Sequence, residues 1–328
     1  MANKKLNMVQ AINLALHEEM ERDDQVIIMG EDVGQDEGVF RVLAGLWSKY
    51  GDRRVMDTPL AESGIIGTAI GMALGGMKPV AEMQFSGFSY LMIAQLAGHA
   101  SRMRSRTQGQ RHVPLVVRMP YGGGVRALEH HSESREATYG HFPGVKVVIP
   151  SGPRNARALM LAAIRDPDPV VFMEPKAMYR AFREDVPEES ETLPIGRPQK
   201  VSEGQDLTLV AWGAMLRPAK SAAEALAEAR GLSVEIFDLQ TIAPLDSGPL
   251  AESLKKTGRM VVVQEAPKSL GVASEIIARM NDEALMYLET PIGRVTGYDV
   301  VTPYFGREKA YLPDAARIQR AMEQTLDT

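Results

Sequence analysis

Val26-Ile27-Ile28-Met29-Gly30 is a short, wholly apolar run closed by a glycine, and its reading decides the fold. An apolar run this brief, without polar alternation, fits a strand buried on both faces. The same form returns at residues 78–83, 113–119, 145–149 and 170–173. Stretches of helical length and composition lie between them, around 64–74, 88–103 and 155–165. Upstream, Asn7 is a natural cap for a helix whose apolar positions Met8, Ile12, Leu16 and Met20 recur every four residues, ending near Arg22. Buried strands alternating with amphipathic helices predict an α/β fold with a parallel sheet covered on both faces.

Farther along, the pattern dissolves into a polar, proline-rich connector and then resumes on a smaller scale. Strands are expected at 207–212, 234–238 and 260–264, with helices at 219–230 and 272–280. The expected organisation is therefore a larger domain over 1–185, a linker over 186–202 and a smaller C-terminal α/β domain over 203–328. A length of 328 residues suits two cores. The formal net charge of -5 argues against nucleic acid as a main partner, and Arg102-Met103-Arg104-Ser105-Arg106 reads as a solvated helix end. Without a cysteine, disulfides, thiolate metal sites and thiol catalysis are excluded. No run approaches the roughly 18 apolar residues that span a bilayer, so neither membrane insertion nor secretion is expected, and the cytoplasm is the default location.

Chemistry concentrates in a few places. Asp57-Thr58-Pro59-Leu60-Ala61-Glu62 leads into a helix with Gly67, Gly71 and Gly75 on one face, a surface that another backbone can approach. Glu62 then stands in the first turn, where a carboxylate suits the helix dipole with or without a further role. Gly122-Gly123-Gly124-Val125-Arg126-Ala127 only superficially matches a dinucleotide fingerprint, because no amphipathic helix follows and no acid ends the next strand. Those glycines read instead as a flexible loop carrying His130 and His131. Adjacent histidines without a clear third ligand do not make a zinc site, but an imidazole beyond a strand's carboxyl end suits acid or base work. Phe85 and Phe88, after the strand at 78–83, suit either core packing or stacking on a flat ring.

Several ordered segments carry a resemblance that spans nearly the whole chain. They are Gly30-Glu31-Asp32-Val33-Gly34, Gly38-Val39-Phe40-Arg41-Val42, the run from Asp57 to Glu62, Gln84-Phe85, His131-Ser132, Pro143-Gly144-Val145-Lys146-Val147-Val148 and Ala163-Ile164-Arg165-Asp166. Asp238-Leu239-Gln240-Thr241-Ile242-Ala243-Pro244-Leu245-Asp246 and Lys256-Thr257-Gly258-Arg259 extend it into the second domain. The chain resembles the beta subunit of thiamine-diphosphate-dependent 2-oxoacid dehydrogenases, of the pyruvate or branched-chain type. The resemblance implies a transketolase-like pyrimidine-binding domain followed by a C-terminal domain for assembly and core docking.

It also implies site residues. Glu62 would hydrogen-bond a pyrimidine nitrogen of thiamine diphosphate and assist its activation. Phe85 would pack on the pyrimidine, with Glu31, Leu60, Ala61, Gln84 and Phe88 around it, and His131 would serve the substrate during transfer. No Gly-Asp-Gly occurs, so the diphosphate and its magnesium would be held by an alpha subunit in an alpha2beta2 heterotetramer docked on a lipoyl acyltransferase core. The glycine face would then be a subunit contact or an internal one. Leu115, Ala163, Ile164, Asp166 and Asp168 match a structural potassium site of the family, with a plain helix-to-strand turn as the competing reading. An acetoin-cleaving relative, a transketolase-like enzyme and a noncatalytic scaffold subunit are the alternative functions.

Overall fold

The computed structural model describes residues 3–328. Contacts divide it into two units, a first running to Tyr121 and resuming over Thr138–Ile195, and a second of Gly122–Ala137 and Gly196–Thr328.

In the first unit the strands are β1 (Asn3–Leu6), β2 (Val26–Gly30), β3 (Val55–Asp57), β4 (Lys78–Glu82), β5 (Val116–Tyr121), β6 (Lys146–Val148), β7 (Val170–Pro175) and β8 (Glu184–Pro187). The main sheet runs β6-β7-β5-β4-β2-β3 with every pairing parallel, while β1 pairs antiparallel with β8. β2, β5 and β7 are buried at every position, as expected for strands covered on both sides. The parallel register sets Gly30 opposite both Asp57 and Glu82, and Glu82 opposite Arg118, so the segments leaving these strands emerge side by side at one edge.

Asn7 caps the helix Met8–Arg22 as expected. Its side chain accepts from Gln10 N at 3.0 Å, and the Gln10 side chain accepts from Asn7 N at 3.2 Å, a reciprocal capping box. Met8, Ile12, Leu16 and Met20 are fully buried on one face, against the helix Pro153–Arg165. The helix expected over 88–103 is broken into a 3₁₀ turn Ser86–Met92, a helix Ile93–Gly98 and short turns beyond it. Ser89 bonds its hydroxyl to the Ser86 carbonyl, which favours a tighter turn, and Gly98 ends the α segment before His99 leaves helical geometry. β5 starts at Val116, later than its apolar run, where Leu115 N is turned to Val113 O.

The second unit contains β9 (Gln199–Ser202), β10 (Leu207–Ala211), β11 (Val234–Asp238), β12 (Thr241–Ala243), β13 (Met260–Pro267) and β14 (Gly293–Gly297). A five-stranded sheet, β14-β13-β10-β11-β9, is parallel except at β9, which lies antiparallel to β11. Helices Leu216–Arg230, Gly248–Thr257, Val272–Ala284 and Ala315–Asp327 accompany it. The proline-rich stretch over 186–202 thus ends in a strand rather than being irregular throughout. Among the described residues, no helix is long and apolar enough to cross a membrane.

Candidate active site

The edge of the first sheet where β2, β3 and β4 end gathers most of the expected cofactor residues. Glu31 follows β2, the run from Thr58 to Glu62 follows β3, and Gln84 and Phe85 follow β4. Thr58 N donates to Gly30 O at 2.9 Å, and Gly34 N donates to Asp57 Oδ1 at 2.7 Å. A Cβ on Gly34 would collide with the Asp57 carboxylate, so glycine is needed for this approach. Asp57 therefore pins the Glu31 loop to the entry of the following helix. Its place in the run from Asp57 to Glu62 marked it, but its partner lies 23 residues away and local reading could not find it.

The helix Glu62–Leu74 begins at Glu62, with Ala61 before it supplying no side-chain cap. Glu62 is 6% exposed, and its Oε2 is buried without a hydrogen-bond partner, as is Thr58 Oγ1. A buried polar atom normally finds a partner, so an acceptor left open beside the sheet edge marks a place for a donor. Leu60, by contrast, is 80% exposed, and Ala61 is exposed beside it. Burial holds the Glu31 carboxyl above its ordinary range, and the neighbouring charges of Glu62 and Asp32 push it the same way. Gln84 Nε2 donates to Asp32 Oδ2 at 2.7 Å, which turns the Gln84 side chain toward this acidic group.

Half-buried Phe85 and Phe88 meet edge to face, their centroids 5.7 Å apart. Phe85 also meets Phe40 edge to face at 5.6 Å, and Phe40 lies 5.2 Å from the Tyr179 ring. Lys176 Nζ stands 5.7 Å from the Phe85 centroid. Phe40 belongs to a segment singled out above, whereas nothing in the order of residues signals Tyr179 or Lys176.

Beneath this surface lies a buried charged cluster that sequence reading missed. Arg118 donates to both oxygens of Glu174 at 2.7 Å each, contacts Glu82, and Tyr179 Oη donates to Glu174 Oε2 at 2.6 Å. Two carboxylates facing one guanidinium leave a negative charge uncompensated in the interior. Burial outweighs the pull of Arg118 and pushes the Glu82 carboxyl up to about 7, while Arg118 is held firmly protonated.

The remaining expected residues belong to other elements. His131 sits with His130 in a turn, Glu129–His131, of the second unit, and the two rings are 4.3 Å apart. Burial raises the Glu133 carboxyl nearby, against the pull of His130. The potassium residues occupy the opposite edge of the first sheet, at the amino ends of β5, β6 and β7. There Lys146 Nζ pairs with Asp166 Oδ2 at 2.5 Å, Asp168 N donates to Asp166 Oδ1 at 2.9 Å, and Arg104 forms a two-point pair with Asp168 at 2.7 and 3.0 Å. Leu115 O accepts from Val170 N, and Ala163 O accepts from Asp166 N. Both carboxylates are thus paired with cationic side chains, and the helix-to-strand turn is braced by these bonds. Among the described residues, no group of three or more acidic or imidazole side chains is arranged to hold a metal.

The glycine ladder is covered at one position and open at the next. A Cβ on Gly67 would make ordinary contact with the Gln95 side chain, and one on Gly71 would meet nothing within 4 Å. The internal contact weighed above is therefore formed at Gly67, against the helix Ile93–Gly98, and Gly71 is left open.

Comparison with known proteins shows the family. Residues 4–181 match the family model of the transketolase pyrimidine binding domain, and residues 196–318 that of the transketolase C-terminal domain. The chain is 50% identical over 313 residues to the pyruvate dehydrogenase E1 component subunit beta of Acholeplasma laidlawii, covering 95% of each. It is 45% identical over 323 residues to the protein of that name from Staphylococcus aureus, covering 98% of this chain and 99% of the other. A solved structure described as a split gene transketolase, an inactive beta4 tetramer, superposes with a TM-score of 0.79 at 22% identity, covering 99% of both chains, which speaks to the fold alone.

Proposed function

Because the chain belongs to the family of pyruvate dehydrogenase E1 component beta subunits, built on the transketolase domains, we propose that it is the pyrimidine-holding half of a thiamine-diphosphate-dependent 2-oxoacid decarboxylase. With an alpha subunit it decarboxylates a 2-oxoacid, pyruvate in the first instance, and passes the acyl group to a lipoyl carrier. The observation that carries this reading is the buried, open Oε2 of Glu62 at the start of its helix.

Thiamine diphosphate, when bound, supplies the electron sink for decarboxylation. This chain's contribution is positional and protonic. Glu62 presents an acceptor whose burial strengthens a hydrogen bond from a ring N–H and keeps water from competing for it. Burial and the charges of Glu62 and Asp32 hold the neighbouring Glu31 carboxyl above its ordinary range. Phe85 and Phe88, braced by Phe40 and Tyr179, offer an aromatic wall for a flat ring. His131 is assigned to the substrate, as a proton donor or steering group during transfer.

The diphosphate and its magnesium fall to the alpha subunit, since this sequence has no Gly-Asp-Gly. Exposed Leu60 and the open position at Gly71 are suited to that subunit, in an alpha2beta2 assembly whose C-terminal units face the acyltransferase core. A cytoplasmic setting accords with the absence of cysteine. The test is reconstitution. The chain alone should turn over no pyruvate with thiamine diphosphate and magnesium, and adding the alpha subunit should restore turnover; activity of the chain by itself would refute the divided site.

A further inference from the structure

The loop that carries His130 and His131 is tied down by two acids from the far end of the chain. Gly123 N donates to Glu265 Oε1 at 2.6 Å, and Ser134 Oγ donates to the same oxygen at 3.0 Å. Gly124 N donates to Glu308 Oε1 at 2.8 Å. Glu265 is 5% exposed and Glu308 3%, so these are charge-assisted bonds shielded from water. A Cβ on Gly122, whose φ is +81°, would stand 2.6 Å from Glu265 Oε1, so both the backbone conformation and the close approach require glycine there.

The geometry bears on what the glycine-rich run is for. Glu265 grips the start of the loop at Gly123 and its end at Ser134, and one carboxylate oxygen thereby closes the segment that contains both histidines. Glu265 itself stands in β13, which is paired with β10 and β14, so the grip is anchored in the five-stranded sheet. Trp212 Nε1 fixes the loop's exit by donating to Glu136 Oε1 at 3.2 Å. Two acids and an indole from separate parts of the second unit converge on one short loop, more than chain closure alone needs.

We propose that Glu265, assisted by Glu308, is the positioning residue of the histidine loop. It touches no substrate; it sets where His131 stands by holding the loop in the frame of the C-terminal unit. The catalytic half of this proposal rests on the assignment of His131 to the substrate. It gives the C-terminal unit a direct part in turnover.

The test uses the full chain assembled with its alpha subunit, thiamine diphosphate and magnesium, with the variants Glu265→Ala, Glu265→Gln, Ser134→Ala and His131→Ala. Amide hydrogen exchange across residues 122–136 reads the tether, and pyruvate turnover with the apparent affinity for thiamine diphosphate reads the consequence. Glu265→Ala should speed exchange in the loop about tenfold or more and lower kcat about 10- to 100-fold, leaving cofactor affinity within about twofold. Glu265→Gln, whose amide oxygen still accepts both bonds, should recover most of both losses, which general destabilisation would not produce. Ser134→Ala, the gentler change, should speed exchange at the loop's end by about threefold. Wild-type exchange in both Glu265→Ala and Ser134→Ala, or equal losses in the alanine and glutamine variants, would overturn the tether. A full wild-type rate in His131→Ala would instead overturn the assignment of His131, and the catalytic half of the proposal with it, while the exchange data judge the tether independently.

Discussion

Replacing Glu136 by Gln should flatten the dependence of stability on pH. Glu136 is fully buried, its Oε2 has no hydrogen-bond partner, and Oε1 accepts from Trp212 Nε1. Burial is the main reason its carboxyl is pushed from the ordinary 4.5 up to about 7; the neighbouring Glu265 charge adds to this, and hydrogen bonds from its own backbone and from Trp212 oppose it. The folded chain therefore keeps this proton through a pH range in which the unfolded chain has released it. The resulting stability is fully present below pH 4.5, declines as pH rises toward 7, and is lost above. At about 1.4 kcal/mol per pKa unit the whole effect is about 3 kcal/mol, of which about 2 kcal/mol falls between pH 5.5 and 8. Glutamine carries no titrating proton and can still accept from Trp212. The Glu136→Gln variant should match the native chain near pH 5 and exceed it by a few kcal/mol at pH 8. Urea unfolding at a series of pH values, read through tryptophan fluorescence, measures the difference and cancels other titrating groups such as Glu82. Parallel curves for the two proteins would show that burial does not hold the proton, and the argument would fail.

Glu62→Gln in the assembled enzyme should lower 2-oxoacid turnover by about 100-fold or more, as loss of a general acid–base partner does, with the assembly intact by light scattering; wild-type turnover would remove Glu62 from the mechanism. Gly71→Leu should act with opposite signs on fold and assembly. A helical glycine with open space before it is replaced by a better helix former, so the isolated chain should gain up to about 1 kcal/mol in urea unfolding, yet association with the alpha subunit should weaken in titration calorimetry. Asp57→Ala leaves Gly34 N without its acceptor and should cost about 1–3 kcal/mol in the same unfolding assay, along with affinity for thiamine diphosphate, because the Glu31 loop loses its pin.

The legible parts of this molecule are those governed by short-range rules. Strand β2, the capped helix Met8–Arg22 and the start of the helix at Glu62 follow from apolar runs, an Asn cap and a proline, each of which acts within a few residues. Phe85 could be nominated because it follows the end of a strand and Glu62 because it opens a helix, whereas Gln84, and the roles given to all three, came from the family resemblance. What stayed hidden depends on partners far apart in the chain. Arg118, Glu82 and Glu174 look like ordinary polar interruptions of buried strands until the register sets Glu82 level with Arg118 and leaves Glu174, two residues past the position level with Arg118, within its reach. Ala315–Asp327 has a clear apolar face and could have been found from its period, so that omission was one of reading.

The histidine loop shows the limit most sharply. Its sequence lies between β5 and β6, both strands of the first unit, and position alone assigns it to the pyrimidine-binding domain. Gly123, Gly124 and Ser134 hydrogen-bond to residues 131 to 184 positions away, and contacts group the loop with the second unit. A loop with three consecutive glycines has too little side chain to pack by itself, so its backbone donors must be met from outside. Buried acids on a neighbouring sheet and helix are the strongest acceptors available to meet them. The glycines that imitated a dinucleotide fingerprint thus serve a different electrostatic purpose. They bring bare N–H groups to Glu265 and Glu308, where a dinucleotide fold would bring them to a phosphate.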